Sequence, residues 1–270
     1  MDRESITMII NKVEGLEFDE PTHRYTYHGE KLVGSISSIS AIANGDNFSI
    51  ASTWASKVIF QEMAEQIVSG MGSPQEESEI MLLAERARNK PNLIRDISAD
   101  FGTKLHKYIE EVCNGNDPPL PEGDEKLRNA CIELKLFAQE YLEPIATELR
   151  VVLQTNPPIA GTADLICSLK GGDPTECFVL DWKGVTKGSL KYSLKKSFFC
   201  QLEAYRHAVI QNHNLNCVGF IVCRIDRDTA EIKAEIYRPK DSSLIDIFMA
   251  CREIFLMPKK FETELLNKGE

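Results

Sequence analysis

The sequence predicts a single α/β unit whose N-terminal half is mainly helical. Apolar residues recur at helical spacing through much of the first half, whereas β-branched and aromatic runs dominate between residues 147 and 237. Neither an internal repeat nor a low-complexity linker divides the 270 residues. Hydrophobic residues make up 43% and charged residues 27% of the chain, which is typical of a globular protein with a substantial core.

The first half is predicted to begin with strands and continue with helices. Residues 14–40 contain short alternating runs that are typical of strands. Ser35 to Ala43 could be an extended segment or the start of a capped helix. Apolar spacing predicts a helix over 49–70, and a proline followed by acidic residues predicts the start of another over 75–88. The segment 97–113 has an apolar stripe and ends at Asn114-Gly115, so it is predicted to be a separate helix.

The second half is predicted to contain the sheet. A helix over 123–143 should close at Pro144, and the sheet should then cover 147–184, with Val151 to Ile159 as one of its strands. The remaining predicted elements are a helix over 198–212, strands over 218–223 and 230–237, and a helical tail over 242–266 interrupted at Pro258.

Two charged segments of the predicted sheet indicate a site. Asp164 follows the strand-like run from Val151 to Ile159. Asp181 and Lys183 lie in a second strand-like run, 177–183, across a turn at 171–174. Side chains alternate along a strand, so Asp181 and Lys183 should share one face while Trp182 points away. Gly161 would allow a close backbone approach. Two carboxylates and an ammonium group together suit a divalent cation and a phosphate, and a solvated ion pair is the structural alternative.

Composition narrows the function classes. The eight cysteines are scattered without a Cys-x-x-Cys pair, which favours free buried thiols over a zinc or iron–sulfur site. The net charge of −10 opposes simple nucleic-acid binding, but residues 181–206 hold six basic and two acidic residues. Phosphate contact or a solvated helix face would each explain that segment, whose candidate DNA-contacting residues are Lys187, Lys191, Lys195 and Lys196.

The sequence also gives expectations about location. The N-terminus lacks the basic start and the apolar stretch of a signal peptide, and no apolar run approaches the roughly 18 residues of a membrane span. We therefore expect an intracellular protein, cytoplasmic or nuclear, with no membrane partner.

Four motifs in order resemble the PD-(D/E)XK nuclease superfamily. They are Gly-Thr-Lys-Leu-His106-Lys-Tyr-Ile-Glu110, Gly-Thr-Ala-Asp164, Leu-Asp181-Trp-Lys183 and Gln201-Leu-Glu-Ala-Tyr205. Their order is similar to the RecB-like branch, which includes phage exonucleases and the mitochondrial genome-maintenance exonuclease. The resemblance implies a restriction-endonuclease-like core, with a central mixed sheet flanked by helices, over 97–270. Residues 1–96 would pack on or cover that core within one compact unit.

The resemblance also implies roles for individual residues. Asp164 and Asp181 would bind the metal, with His106 completing its shell. Lys183 would position or activate water and offset phosphate charge, and Gln201 and Tyr205 would line the site. Glu110 and Glu148 are further candidates for metal binding; Glu110 could instead be an acid that contacts the ligands or an exposed partner for Lys107.

The expected activity is a Mg²⁺- or Mn²⁺-dependent deoxyribonuclease, an exonuclease acting on DNA ends or single strands. Oxygen ligands select these ions, and an imidazole admits Mn²⁺ somewhat better. The second acid is Asp where many relatives have Glu, and the four-cysteine pattern of Cas4-like members is missing, so no iron–sulfur cluster is expected. Replication or recombination proteins are candidate partners. A structure-specific endonuclease, an RNase and an inactive nucleic-acid-binding protein are the alternatives.

Overall fold

The structure is a computed structural model that describes residues 12–45, 47–69 and 77–266. The chain divides into two compact units. One contains Met1–Asn44 and Leu105–Glu270, and the other contains Gly45–Lys104. The predicted boundary at residues 96 and 97 lies inside a continuous helix.

The first unit begins with a small antiparallel sheet. Its strands are β1 (Leu16–Asp19), β2 (Arg24–Tyr27) and β3 (Glu30–Lys31), as the alternating runs predicted. A short helix α1 (Ile36–Ser40) follows, and Ser35 caps it by accepting a hydrogen bond from the Ser38 backbone. Ile36 and Ile39 are fully buried in the main core.

The second unit consists of helical segments. Helix α2 (Asn47–Val68) and the first part of α3 (Glu77–Cys113) form it, and an ion pair of 2.9 Å joins Lys90 to Glu62. The prediction of two separate helices over 75–88 and 97–113 was wrong, because one helix runs from Glu77 to Cys113; residues 75 and 76 lie outside the described residues. Pro91 lies inside it, where it removes one backbone donor without ending the helix.

The main sheet of the first unit has five strands in the order β4-β5-β6-β7-β8. Their bounds are β4 Leu142–Leu153, β5 Ile159–Leu169, β6 Cys177–Val185, β7 Cys217–Asp226 and β8 Ile232–Tyr237. Only the β6–β7 pair is parallel, so the sheet is mixed, which confirms the predicted α/β class. Residues 151–159 are not one strand, because β4 ends at Leu153 and β5 begins at Ile159.

Three helices complete the core; the first two pack on the sheet, and the third packs against α1 and the second. They are α4 (Glu125–Tyr141), α5 (Lys196–His213) and α6 (Ser243–Leu266). Helix α4 ends before the predicted residue 143, and Pro144 lies inside β4 at a register irregularity. The tail helix α6 was predicted to be interrupted at Pro258, but it runs continuously through that residue.

Two further observations concern cysteines and membranes. All eight cysteines are free, seven of them buried and Cys113 half-buried. Within the described ranges, no helix has both the length and the apolar character that crossing a bilayer requires.

Buried His213 makes the stability of the first unit sensitive to acid. Its Nε2 atom is buried and has no hydrogen-bond partner among the described residues, and burial lowers the pKa of the ring. Below about pH 6.5 the unfolded chain binds the proton more readily than the folded one. The free energy of unfolding should therefore fall as the pH drops through that range.

Urea unfolding at pH 7.5 and pH 5 checks this expectation. The difference in unfolding free energy between the two pH values should be smaller in His213→Phe than in the unchanged protein. His23→Asn removes an exposed histidine and should keep the original difference. Equal pH dependence in all three proteins would contradict the role of His213.

Candidate metal centre

Three adjacent strands carry the acidic residues of the site. Leu165 pairs with Leu180, so the same antiparallel register places Asp164 opposite Asp181. In β4, Glu148 stands opposite Asp164, because its neighbours Thr147 and Leu149 pair with Leu165 and Ala163. The predicted turn at 171–174 joins two antiparallel strands. Asp164 and Asp181 lie in the middle of β5 and β6, one residue beyond the Leu165–Leu180 pair.

His106, Glu148 and Asp164 form a cluster that could hold a metal ion. One ligand atom from each residue lies within 4.8 Å of the others. His106 comes from the end of α3, and the two acids come from β4 and β5. Two carboxylates and one imidazole are ligands that suit Mg²⁺ or Mn²⁺.

The backbone of Trp182 orients two of these ligands. Its N–H donates to Asp164 Oδ2 at 3.1 Å, and its carbonyl oxygen lies 2.8 Å from His106 Nε2. If Nε2 carries the proton and donates to this carbonyl, the lone pair of Nδ1 faces Asp164 Oδ2, which is 3.4 Å away. Histidines that bind metals commonly donate their other N–H in this way.

Glu148 has two features that are unusual for a strand residue. Its backbone φ is +45°, a region that residues other than glycine rarely adopt. Although the residue as a whole is exposed, partial burial of its carboxylate, together with repulsion from Asp164 and Glu110, raises its pKa to about 7. Strained backbone and crowded acids are both common at functional sites.

Asp181 and Lys183 form a buried ion pair beside the cluster. The Lys183 ammonium lies 2.7 Å from both Asp181 oxygens, but only the contact with Oδ1 has hydrogen-bond geometry. Asp181 Oδ2 is therefore buried without a hydrogen-bond partner among the described residues. This ion pair confirms that the two side chains share a face, and the structure places Asp181 outside the three-ligand cluster.

Burial and neighbouring charges both shift the pKa values of this ion pair. Burial raises the pKa of Asp181, Lys183 opposes this effect, and Asp164 adds to it. Burial acts to lower the pKa of Lys183, but Asp181 and Asp164 together raise it. The site thus concentrates negative charge that a cation would neutralise.

The remaining predicted site residues lie around this centre. Burial raises the pKa of Tyr205 on α5, the charges of Asp164 and Asp181 add to this effect, and the neighbouring Gln201 opposes it. Glu110 lies outside the three-ligand cluster, although its charge raises the pKa of Glu148. The four predicted DNA-contacting lysines are all exposed: Lys187, Lys191, Lys195 and Lys196.

Gly161 permits a close approach between β5 and Tyr205, as the sequence predicted. A Cβ atom at this position would lie 2.5 Å from Tyr205 Cε1 and 3.2 Å from Ile36 Cβ. The next residue, Thr162, makes a 2.8 Å hydrogen bond with the hydroxyl of Tyr25. The strand that carries Asp164 is thus packed tightly against α1 and α5.

Gly161→Ala should destabilise the protein by about 1–3 kcal/mol, because the added methyl group collides with the buried Tyr205 ring. Gly102→Ala is the control. Gly102 lies within helix α3, nothing lies within 4 Å of its added Cβ, and alanine favours a helix by about 0.5–1 kcal/mol. Urea unfolding of both variants and of the unchanged protein checks this. A Gly161→Ala protein with the same free energy of unfolding as the unchanged protein would contradict the packing described for Gly161.

Comparisons with known proteins add little to this geometry. No protein-family model and no curated protein matches the chain. Among solved structures, the chain is similar to the one described as "Crystal structure of SSO0001", with 15% sequence identity and a TM-score of 0.37. The match covers 76% of this chain and 86% of that chain. A TM-score this low carries no argument about fold or function.

Sequence reasoning gave too little weight to two residues. Glu148 was only a further candidate, and its place beside Asp164 follows from strand register. Trp182 was predicted only to point away from the site, whereas its backbone contacts both His106 and Asp164. The sequence does contain a signal for Trp182. A large apolar residue between Asp181 and Lys183 is expected to be buried, and its burial fixes the backbone between them.

Proposed function

We propose that this protein is a Mg²⁺- or Mn²⁺-dependent deoxyribonuclease that degrades DNA from its ends. The observation that carries the proposal is the cluster of His106, Glu148 and Asp164, within 4.8 Å, beside the Lys183 ammonium. The motif resemblance to PD-(D/E)XK nucleases supports the same conclusion from the sequence. RecB-like exonucleases are the relatives that it favours.

The donors fit a hard divalent ion. Two of the three clustered ligands are carboxylates, the third is an imidazole held by a backbone carbonyl, and the buried Asp181 Oδ2 lacks a hydrogen bond among the described residues. Such an ion, when bound, lowers the pKa of water and withdraws charge from a phosphodiester.

The protein's own residues would orient the substrate and balance its charge. Lys183 is held within 2.7 Å of Asp181, so its ammonium stands at a fixed place where it can contact a phosphate oxygen or a water molecule. Negative charge that grows on the phosphate during hydrolysis would be stabilised by this cation. Gln201 on α5 is partly exposed and would line the site, whereas Tyr205 is 4% exposed and would support it from the core.

Digestion of labelled DNA tests the proposal. We expect linear DNA labelled at either end to be degraded with Mg²⁺ or Mn²⁺ and to stay intact in EDTA. Circular single-stranded and duplex DNA should resist, since an exonuclease needs an end. Cleavage in EDTA would reject the metal mechanism, and cleavage of circles would replace the exonuclease with an endonuclease. Matched RNA shows whether the activity is restricted to DNA.

A further inference from the structure

A cavity of about 430 Å³ opens directly beside Lys183 in the first unit. Its walls are the end of β6, the segment 186–195, the start of α5, and Arg224 and Arg227. The volume is within the range of pockets that bind small ligands. Because Lys183 lines it, a strand that leaves the metal centre on this side would enter the cavity.

Basic side chains line the cavity although the protein as a whole is acidic. Four basic side chains line it and no carboxylate does among the described lining residues. The four are Lys183, Lys195, Arg224 and Arg227. Lys183 and Arg224 are each paired with a carboxylate outside the lining, Asp181 and Glu235. The exposed Lys195 is therefore the lining cation that can attract a phosphate even when the net charge is −10.

Aromatic rings occupy the same walls. The Lys183 and Lys195 ammonium groups lie 5.4 Å and 6.0 Å from the centre of the Phe198 ring, which holds both cations near the cavity. Tyr192 is 64% exposed, and Lys191 approaches its ring at 5.3 Å. One cation covers at most one face of a ring, so Tyr192 keeps surface on which a base can stack.

The backbone that carries Tyr192 is held by a buried arginine. Arg224 donates hydrogen bonds to the carbonyl oxygens of Tyr192 at 2.9 Å, Leu190 at 3.3 Å and Ser189 at 3.4 Å. Its guanidinium also pairs with Glu235 at 2.5 Å. An exposed aromatic ring on an anchored turn is preorganised for contact with a ligand, so less entropy is lost on binding.

We propose that this cavity binds one unstacked nucleotide of a DNA single strand, next to the phosphate at the metal centre. Tyr192 would stack on the base and Lys195 would contact the adjoining phosphate. A base in a duplex is paired and stacked on its neighbours and cannot enter a side cavity, so the site selects single strands. The inference rests on the proposed nuclease function for the position of that phosphate.

Binding in EDTA tests the cavity separately from cleavage. The probes are a fluorescein-labelled dT12 oligonucleotide and a labelled blunt 12-base-pair duplex, measured by fluorescence anisotropy with the full chain. Tyr192→Ala should weaken dT12 binding about 5- to 100-fold, the range that stacking of one base spans. Tyr192→Phe keeps the ring and should bind within about twofold of the unchanged protein.

Tyr141→Ala is the matched control, because Tyr141 is also a half-exposed tyrosine but does not line the cavity. It should leave dT12 binding unchanged. Unaltered dT12 binding by Tyr192→Ala, an equal loss for the duplex, or no dT12 binding by the unchanged protein would overturn the proposal. If Tyr192→Ala selectively loses dT12 while no metal supports cleavage, the cavity stands and the nuclease proposal fails.

Discussion

Lys183→Gln is expected to lower the rate of DNA cleavage by roughly 100- to 1000-fold, the usual cost of removing one group that stabilises transition-state charge. Glutamine retains a donor for the buried Asp181, so the change removes the charge without leaving that carboxylate wholly unpaired. Metal binding should persist, because Lys183 is not one of the three clustered ligands. Single-turnover digestion of linear DNA and calorimetric titration with Mn²⁺ measure the two effects.

Lys135→Gln is the matched control for this experiment. Lys135 lies on α4 and pairs with Asp117, whose side chain is 84% exposed, so its loss should change neither cleavage nor metal binding. Urea unfolding of both variants shows whether the fold is kept. Cleavage at the original rate by a folded Lys183→Gln protein would remove Lys183 from the mechanism.

Asp164→Asn is expected to weaken Mn²⁺ binding by more than about 100-fold. Mutation of residues that only hydrogen-bond to a metal ligand already lowers metal affinity by about 10- to 100-fold. Cleavage should fall with it. The amide oxygen can still accept the hydrogen bond from the Trp182 N–H, so the strand should keep its place. Calorimetry at fixed pH gives the dissociation constant directly.

Asp117→Asn removes an exposed carboxylate and is the control for the charge change. It should bind Mn²⁺ like the unchanged protein. If Asp164→Asn bound Mn²⁺ with unchanged affinity, the cluster would not be the metal site. If it lost the metal but still cleaved DNA, metal binding and cleavage would be separate properties of the chain.

Local patterns predicted the two strands and the turn at the site, but they gave Glu148 only as one of several further candidates. Asp181 and Lys183 lie two residues apart in a run with strand character, and the turn at 171–174 returns the chain antiparallel. These features depend only on residues close together in the chain, so they can be predicted from the sequence. Glu148 joins the cluster through the register of β4 with β5 and a φ of +45°, which depend on tertiary packing.

Element ends were predicted less well where packing overrides local preference. Pro91 and Pro258 lie inside helices that continue past them, although proline removes a donor and usually ends a helix. Pro144 was predicted to close a helix and instead lies in a strand at an irregular position. The cavity beside Lys183 was also beyond prediction, because Arg224 reaches it from a strand far along the chain.

Trp182 connects the candidate metal centre to the packing of the opposite face of the sheet. Its indole is 2% exposed and meets the Phe137 ring of α4 edge-on, with ring centroids 6.4 Å apart. The same residue's peptide groups contact Asp164 and His106. A substitution at this aromatic pair that shifts the Trp182 backbone should therefore also displace Asp164 and His106, so packing on one face of the sheet and the geometry of the candidate cluster on the other cannot change independently there.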